Sequence, residues 1–198
     1  CKQADQIGPN LMMILHVASF NGNIGDVLSH RGLYQILQLD MDAKPVTIVK
    51  LDIRRFYKNA EKDKLYFNGN IAEYFNEFDL VIIGGGGFLK QSFADSLSGN
   101  TFDFDTNFYR TLRTKIVFYS IGGIDALSSA NETAYFKTEQ FLEKLHTDKL
   151  FSLIYRNDGS IQNSRFLTRL RKKDLNQVPS MNDSAYLNVS RKTKQKSN

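Results

Sequence analysis

The sequence predicts a doubly wound α/β domain: a mostly parallel, Rossmann-like sheet with helices on both faces. Three observations predict it. Short apolar runs alternate with amphipathic segments, strand–loop–helix, five times within 198 residues. The unusual residues stand directly after the apolar runs, where parallel sheets bind ligands. At 41% hydrophobic residues the chain can build one real core without staples.

The elements follow in order. Met12 to Phe20 (MMILHVASF) is a short apolar run and reads as a buried strand, followed by the loop Asn21-Gly22-Asn23-Ile24-Gly25-Asp26. Val27 to Leu39 places Val27, Leu28, Gly32, Leu33, Ile36 and Leu37 at helical spacing. Pro45 to Ile53 (PVTIVKLDI) is rich in β-branched residues and reads as a second strand. Lys64 to Phe78, with Ile71, Ala72, Phe75 and Phe78, suits a helix. Asp79 to Ile83 is a third strand that runs into four glycines, Gly84 to Gly87. The polar stretch Lys90 to Asp105 reads as a long loop, and Thr106 to Thr114 as a short helix. Lys115 to Ile121 is a fourth strand ending at Gly122-Gly123. Asn131 to Thr147 is expected to be helical, with Tyr135, Phe136, Phe141, Leu142 and Leu145 as its apolar face. Leu150 to Tyr155 is a fifth strand ending at Arg156-Asn157-Asp158. Ser160 to Lys173 reads as a basic amphipathic helix, and Gln177 to Leu187 can add a short sixth strand. The domain is expected over residues 10–190. Residues 191–198, with four basic residues in eight, are expected to be a disordered tail.

Composition excludes several classes. One cysteine, Cys1, excludes a disulfide scaffold. No apolar run reaches the ~18 residues of a membrane span. The net charge of +5 favours an anionic partner without naming it. A chain that starts with cysteine fits a processed lipoprotein, but without an initiator methionine a piece of a longer protein is the expectation. The sequons at Asn131, Asn182 and Asn188 matter only if the chain is secreted.

The motifs narrow the chemistry. The glycine run is not a dinucleotide fingerprint: a G-x-G-x-x-G frame needs glycine at Leu89 or Lys90. No P-loop is present, and without a G-x-S-x-G elbow no Ser-His-Asp triad can be argued. Consecutive glycines let a ligand approach the backbone and expose N–H groups, although tight helix–sheet packing is the plainer use. Asp26 fits either a first-turn carboxylate favoured by the helix dipole or a catalytic group. His30 beside it can donate a proton near neutral pH, but a lone helix histidine is ordinarily a surface residue. Arg156 ends an apolar strand, so its guanidinium should project from the rim, fit to grip a carboxylate or phosphate. Asp158 and Ser160 read as helix caps. Asp103-Phe104-Asp105 has the look of a metal-binding D-x-D pair, a pattern common by chance. His16, His30 and His146 have no ligand spacing, so no metal is expected.

Taken together, five segments resemble, in order, the motifs of the polysaccharide pyruvyl transferase family. They are NGNIGDVLSHRGL from Asn21, DLVIIGGGGFL from Asp79, VFYSIGG from Val117, SLIYRNDGSIQ from Ser152 and VPSMNDSAYL from Val178. The resemblance runs from about Met12 to Leu187 and covers the amino-terminal half of the family's two-domain fold, which is similar to GT-B glycosyltransferases. It implies transfer of a pyruvyl group from phosphoenolpyruvate to two hydroxyls of a sugar, giving a ketal on a cell-surface, exported or cell-wall polysaccharide. No cofactor beyond the donor phosphoenolpyruvate is implied. The implied partners are that donor and a glycan or lipid-linked sugar; no nucleic acid is expected. The implied setting is the cytoplasm, with the inner face of the membrane as the place of peripheral contact.

By the resemblance Asp26 matches the aspartate of an N-x-G-D loop and is the candidate catalytic base, or orients the acceptor. Arg156 matches the arginine of an R-x-D-x-x-S-like segment, although Ser160 stands one position early. With Arg156, the candidate substrate-binding residues are Asn21, Asn23, Gly25, Gly85, Gly86, Gly87 and Gly122. Residues Lys90 to Asp105 do not follow the family pattern. Two other classes stay open: a GT-B-like glycosyltransferase using a nucleotide sugar, and a non-catalytic remnant or binding module.

Overall fold

A computed structural model describes residues 11–21, 24–40, 45–84, 86–89, 93–123, 131–157 and 180–181. The expected helix at Ser160–Lys173, the caps Asp158 and Ser160 and the tail at 191–198 lie outside them.

The five expected strands form, and all pair in parallel. They are β1 (Met12–Ala18), β2 (Val46–Asp52), β3 (Leu80–Gly84), β5 (Ile116–Gly123) and β6 (Phe151–Arg156). A two-residue strand, β7 (Ser180–Met181), pairs with the end of β6 inside the segment expected to add a sixth strand. The sheet order is β2-β1-β3-β5-β6-β7. A further short strand, β4 (Gly87–Leu89), takes over the pairing with β5 where β3 leaves it. Gly84 faces Tyr119 and Gly87 faces Gly122, the same step along both strands. Gly84 and Gly87 are therefore both strand residues paired with β5.

Parallel strands must be covered on both faces to keep their ladder dry, and strand alternation sorts the covers. Ile14, Ile82 and Tyr119 point to one face, where α1 (Ile24–Asp40) supplies Leu33, Tyr34 and Leu37. Leu15, Val17, Val81, Ile83, Ile116, Phe118 and Leu153 point to the other. There they meet α2 (Gly69–Phe75), α3 (Thr106–Thr111) and α4 (Glu132–Thr147). The domain is thus doubly wound.

Phe67 is the hub of the second face. It stacks on Phe56 at 4.0 Å between ring centroids and meets the edges of Phe104, Phe108 and Phe75. Burying such rings contributes about 2–3 kcal/mol each before edge-to-face gains.

Two local expectations are corrected and one is sharpened. Lys64 to Phe78 is not one helix: residues 64–66 belong to no helix or strand, Phe67 bridges to Phe104, and the helix is only Gly69–Phe75. Asn68 explains the late start, because its side-chain oxygen caps the Ile71 amide at 3.2 Å. The polar stretch before Asp105 is a loop as expected over its described residues, but a packed one: Ser96, Ser98, Asn100, Thr101, Phe102 and Phe104 are all buried. Its polar side chains bond its own backbone, Ser98 Oγ to the Phe102 carbonyl at 2.6 Å and Asn100 Nδ2 to the Ser98 carbonyl at 2.8 Å. On α4 the buried stripe is Ala134, Thr138, Phe141, Leu142 and Leu145, and Phe136 is 59% exposed, off that stripe.

Two glycines are required by close approach. A Cβ at Gly84 would lie 1.9 Å from the Tyr119 carbonyl oxygen. One at Gly99, whose φ is +72°, would lie 2.0 Å from the Ala134 carbonyl oxygen. At Gly69, the first residue of α2, a Cβ meets only ordinary contacts at 3.5 Å and beyond. Gly84→Ala and Gly99→Ala should each destabilise by about 2–4 kcal/mol, whereas Gly69→Ala should be neutral or stabilising by up to ~1 kcal/mol. Denaturant titration of the three variants checks this; equal stabilities would remove the packing argument.

Candidate functional site

Because the strands are parallel, every strand-to-helix connection leaves the sheet at one edge. The strand order reverses between β1 and β3, which run side by side and feed connections that leave in opposite directions. Such a reversal opens a crevice at the carboxyl ends of the two strands. The NGNIGD loop follows β1 and the glycine run follows β3, so these two motifs flank the reversal.

At the β1 end the helix begins earlier than expected. Gly25 and Asp26 belong to the first turn of α1, which starts at Ile24. Asp26 is half-buried there, and its carboxylate charge favours the positive end of the helix dipole. The Asn21 carbonyl accepts a hydrogen bond from Arg54 Nη1 at 3.0 Å, tying the loop to the end of β2. Asp52, the last residue of β2, caps the following turn through the Arg54 amide at 2.9 Å. Tyr57 sits among these groups; burial first, then Asp26 and Asp52, push its pKa up to about 12 against the pull of Arg54. Asn23 lies outside the described residues.

Beneath this loop stands a cluster that sequence reasoning missed. His30 is buried, contrary to expectation, with Nε2 3.0 Å from the Ser19 carbonyl. His16, on the α1 face of β1, is buried against it at 4.9 Å between ring centroids. His16 Nδ1 shares a 2.9 Å hydrogen bond with the Tyr34 hydroxyl, while Nε2 has no partner among the described residues. The signal was the spacing His30–Tyr34, one turn apart on α1, facing an alternating strand.

At the β3 end the glycines divide by role. Gly84 is the packing glycine beneath the Tyr119 carbonyl. The Gly86 carbonyl accepts from the Gly122 amide at 3.1 Å, and Gly87 pairs with Gly122 in β4–β5. Gly85 lies outside the described residues. Between Tyr119 and Ile121, β5 is irregular: Ser120 has φ +51°, and the pairing with β6 shifts there.

Arg156 ends β6 at the same edge, as expected, and its register partner is Met181. Alternation with the buried Phe151, Leu153 and Tyr155 places it on the α1 face, half-buried. Strands β1 and β6 are separated by β3 and β5, three spacings or about 14 Å. The sheet gathers Asn21, Gly25, Asp26 and the glycines, and holds Arg156 at the far side of the same rim. The aspartates of the D-x-D pair serve the backbone. Asp103 accepts from the Ser98 amide at 2.8 Å, and Asp105 caps α3 through the Phe108 amide at 2.6 Å. Among the described residues no three His, Cys, Asp or Glu side chains group as metal ligands, and no helix is long and apolar enough to cross a membrane.

His16 carries a pH signature. Burial first, then the charges of His30 and Lys50, lower its pKa from 6.5 to about 3. Between those values the unfolded chain takes up a proton that the folded chain refuses. This contribution to stability is complete above pH 6.5 and is lost as the pH falls toward 3, at up to about 1.4 kcal/mol per pH unit. Denaturant titrations at pH 7 and pH 5 should differ by about 2 kcal/mol, and His16→Gln should remove most of the difference. A variant as pH-sensitive as the wild type would clear His16 of that role.

No protein-family model matches the chain, and no curated protein matches it. Among solved structures it is similar to a LacI family transcription regulator from Clostridium acetobutylicum, with 14% identity over 94% of this chain and 75% of that one, at a TM-score of 0.27. A likeness that slight carries no argument, so the chain's α/β, Rossmann-like class rests on its own parallel, doubly covered sheet.

Proposed function

We propose that this domain belongs to a pyruvyl transferase acting on a polysaccharide, and that it supplies one wall of the active cleft. One observation carries the reading: the two most distinctive motif loops, NGNIGD and the glycine run, flank the reversal of strand order. That is where a substrate would enter a sheet of this kind. The motif resemblance supports the choice of chemistry.

In the reaction, the methylene carbon of phosphoenolpyruvate takes a proton and becomes a methyl group. The adjacent carbon loses its bond to the phosphate oxygen and forms two C–O bonds to the sugar hydroxyls. Of the two hydroxyl protons, one balances the new methyl hydrogen and the other leaves with phosphate. The step needs a proton acceptor near the sugar and donors for the donor's two anions. Asp26 is proposed as the acceptor or as the group that orients the sugar, and Arg156 as the grip on a carboxylate or phosphate. Asp26 follows β1 and Arg156 ends β6, with β3 and β5 between those strands, and the sugar would lie along that edge between them. Asn21, Asn23, Gly25, Gly85, Gly86, Gly87 and Gly122 would line that path. The donor's metabolic origin would place the reaction in the cytoplasm, at the inner face of the membrane for a lipid-linked acceptor.

The test is phosphate release from phosphoenolpyruvate by the full-length protein carrying this domain, with a panel of acceptor glycans. Release that requires an acceptor supports the reading. Turnover of a nucleotide sugar instead would make the domain part of a glycosyltransferase, and binding without turnover a binding module. In that protein Arg156→Ala should weaken phosphoenolpyruvate affinity or turnover about ten- to a hundred-fold, with the melting temperature nearly unchanged. Arg156→Lys should also be impaired, because it keeps the charge but not the fork. Unchanged kinetics would remove Arg156 from the donor site, and matched losses of activity and melting temperature would make it structural.

A further inference from the structure

A pocket of about 180 Å³ opens on the face of the sheet opposite α1, between α3, α4 and the packed loop before Asp105. Its lining divides into two chemistries. One wall is apolar: Phe104 and Phe141 belong to the core, Tyr109 packs against that core, and Leu97 is 68% exposed. The other wall comes from one flank of α4, where Lys137, Gln140 and Lys144 recur at helical spacing. The Tyr109 ring meets the edge of Phe151, the first residue of β6. That end of the pocket therefore lies toward the amino ends of the strands, away from the edge that carries the motif loops.

The cations of the second wall have no counter-charge in direct contact. Lys144 Nζ stands 3.3 Å from the centroid of the Tyr109 ring, and Lys137 Nζ donates to the Ala94 carbonyl at 2.6 Å. Neither forms an ion pair among the described residues. The carboxylates nearby serve the backbone instead. Asp103 accepts from the Ser98 amide and Asp148 from the Leu150 amide at 2.9 Å. Partial burial holds the Lys144 pKa below the usual lysine value, against the opposing pull of Asp148. An ammonium that has lost water and gained only a ring face gains most from an anion.

We propose that this pocket binds a small organic carboxylate, its anion held by Lys144 and Gln140 and its apolar body lying on Phe104, Phe141 and Tyr109. Size limits the body to one ring or a short chain, since a cavity of roughly 150 Å³ takes a benzene ring. The apolar wall selects against a bare inorganic anion, which would leave that wall without a partner. The amide of Gln140 supplies a neutral N–H donor beside the lysine, and Lys137 adds positive charge one turn before it. The plainer use of Lys144 is to cover the Tyr109 ring with its stem and charge, and the experiment separates the two.

The test measures binding to the full-length protein carrying this domain by calorimetry, with melting temperatures alongside. Benzoate is the probe, benzamide its neutral counterpart, and inorganic phosphate the anion without an apolar body. Benzoate should bind saturably with a Kd of about 1 mM or tighter, and benzamide and phosphate at least about ten-fold more weakly. Lys144→Met keeps the length and the contact with Tyr109 but removes the charge. Gln140→Glu, at an exposed position, engages Lys144 one turn on. Each should weaken benzoate binding about ten-fold and leave the melting temperature within a few degrees. Absence of saturable benzoate binding to the wild type would overturn the inference. So would equal binding of benzamide or phosphate, or benzoate binding unchanged in both variants, which would leave Lys144 as a cover for Tyr109. The readout involves no phosphate release, so the pocket and the pyruvyl transfer reading stand or fall separately.

Discussion

The approach of β3 to β5 governs the functional edge of this protein. At Gly84 the strands lie so close that the Tyr119 carbonyl oxygen occupies the space of a Cβ. Any side chain there would push β3 out of register with its central neighbour. Because that register holds, β4 resumes the same pairing at Gly87 and Gly122. The strained turn of Ser120 then comes level with the end of β1. The register at this edge follows from one contact inside the sheet.

That contact is held from below by aromatic packing. A parallel sheet tolerates no wet face, and here α2 and α3 are too short to cover one alone. Irregular segments fill the gap: Phe67 before α2 and Phe102 and Phe104 before α3 insert their rings beneath β1, β3 and β5. Buried polar side chains are the cost of using irregular backbone in a core, and Ser98 and Asn100 meet it by bonding their own segment. Thr138 of α4 then ties that segment to the helix through the Ser98 carbonyl at 3.1 Å. The result is a rigid floor on one face, with the α1 face free to carry the histidines and the rim.

The rim distributes its chemistry. Asn21 and Asp26 belong to the β1 end, the glycines to β3 and β4, and Arg156 to β6. His16 and His30 fit this picture as supports. The two rings are buried and adjacent, and His30 Nε2 meets the Ser19 carbonyl at the base of the loop.

The sequence by itself determined the strands, their parallel sense and the edge on which the special residues collect. β-branched runs such as Val46–Asp52 and glycine-bounded runs such as Leu80–Gly84 are local signals, and their alternation with helices leaves few topologies. Asp26, the glycines and Arg156 could be put on one rim from strand order alone. Only the tertiary structure decided what depends on partners distant in the chain. Four identical glycines differ because one faces Tyr119 and another exchanges a bond with Gly122. The irregular run before Phe67 exists because Phe104 bridges to it and Asn68 delays the helix. His30 is buried because β1 lies across it, and the polar residues around Ser98 are core because phenylalanines on either side are drawn in. Periodicity reports which face of an element is apolar. It carries no information about which element arrives to cover it, and that arrival sets burial and strain.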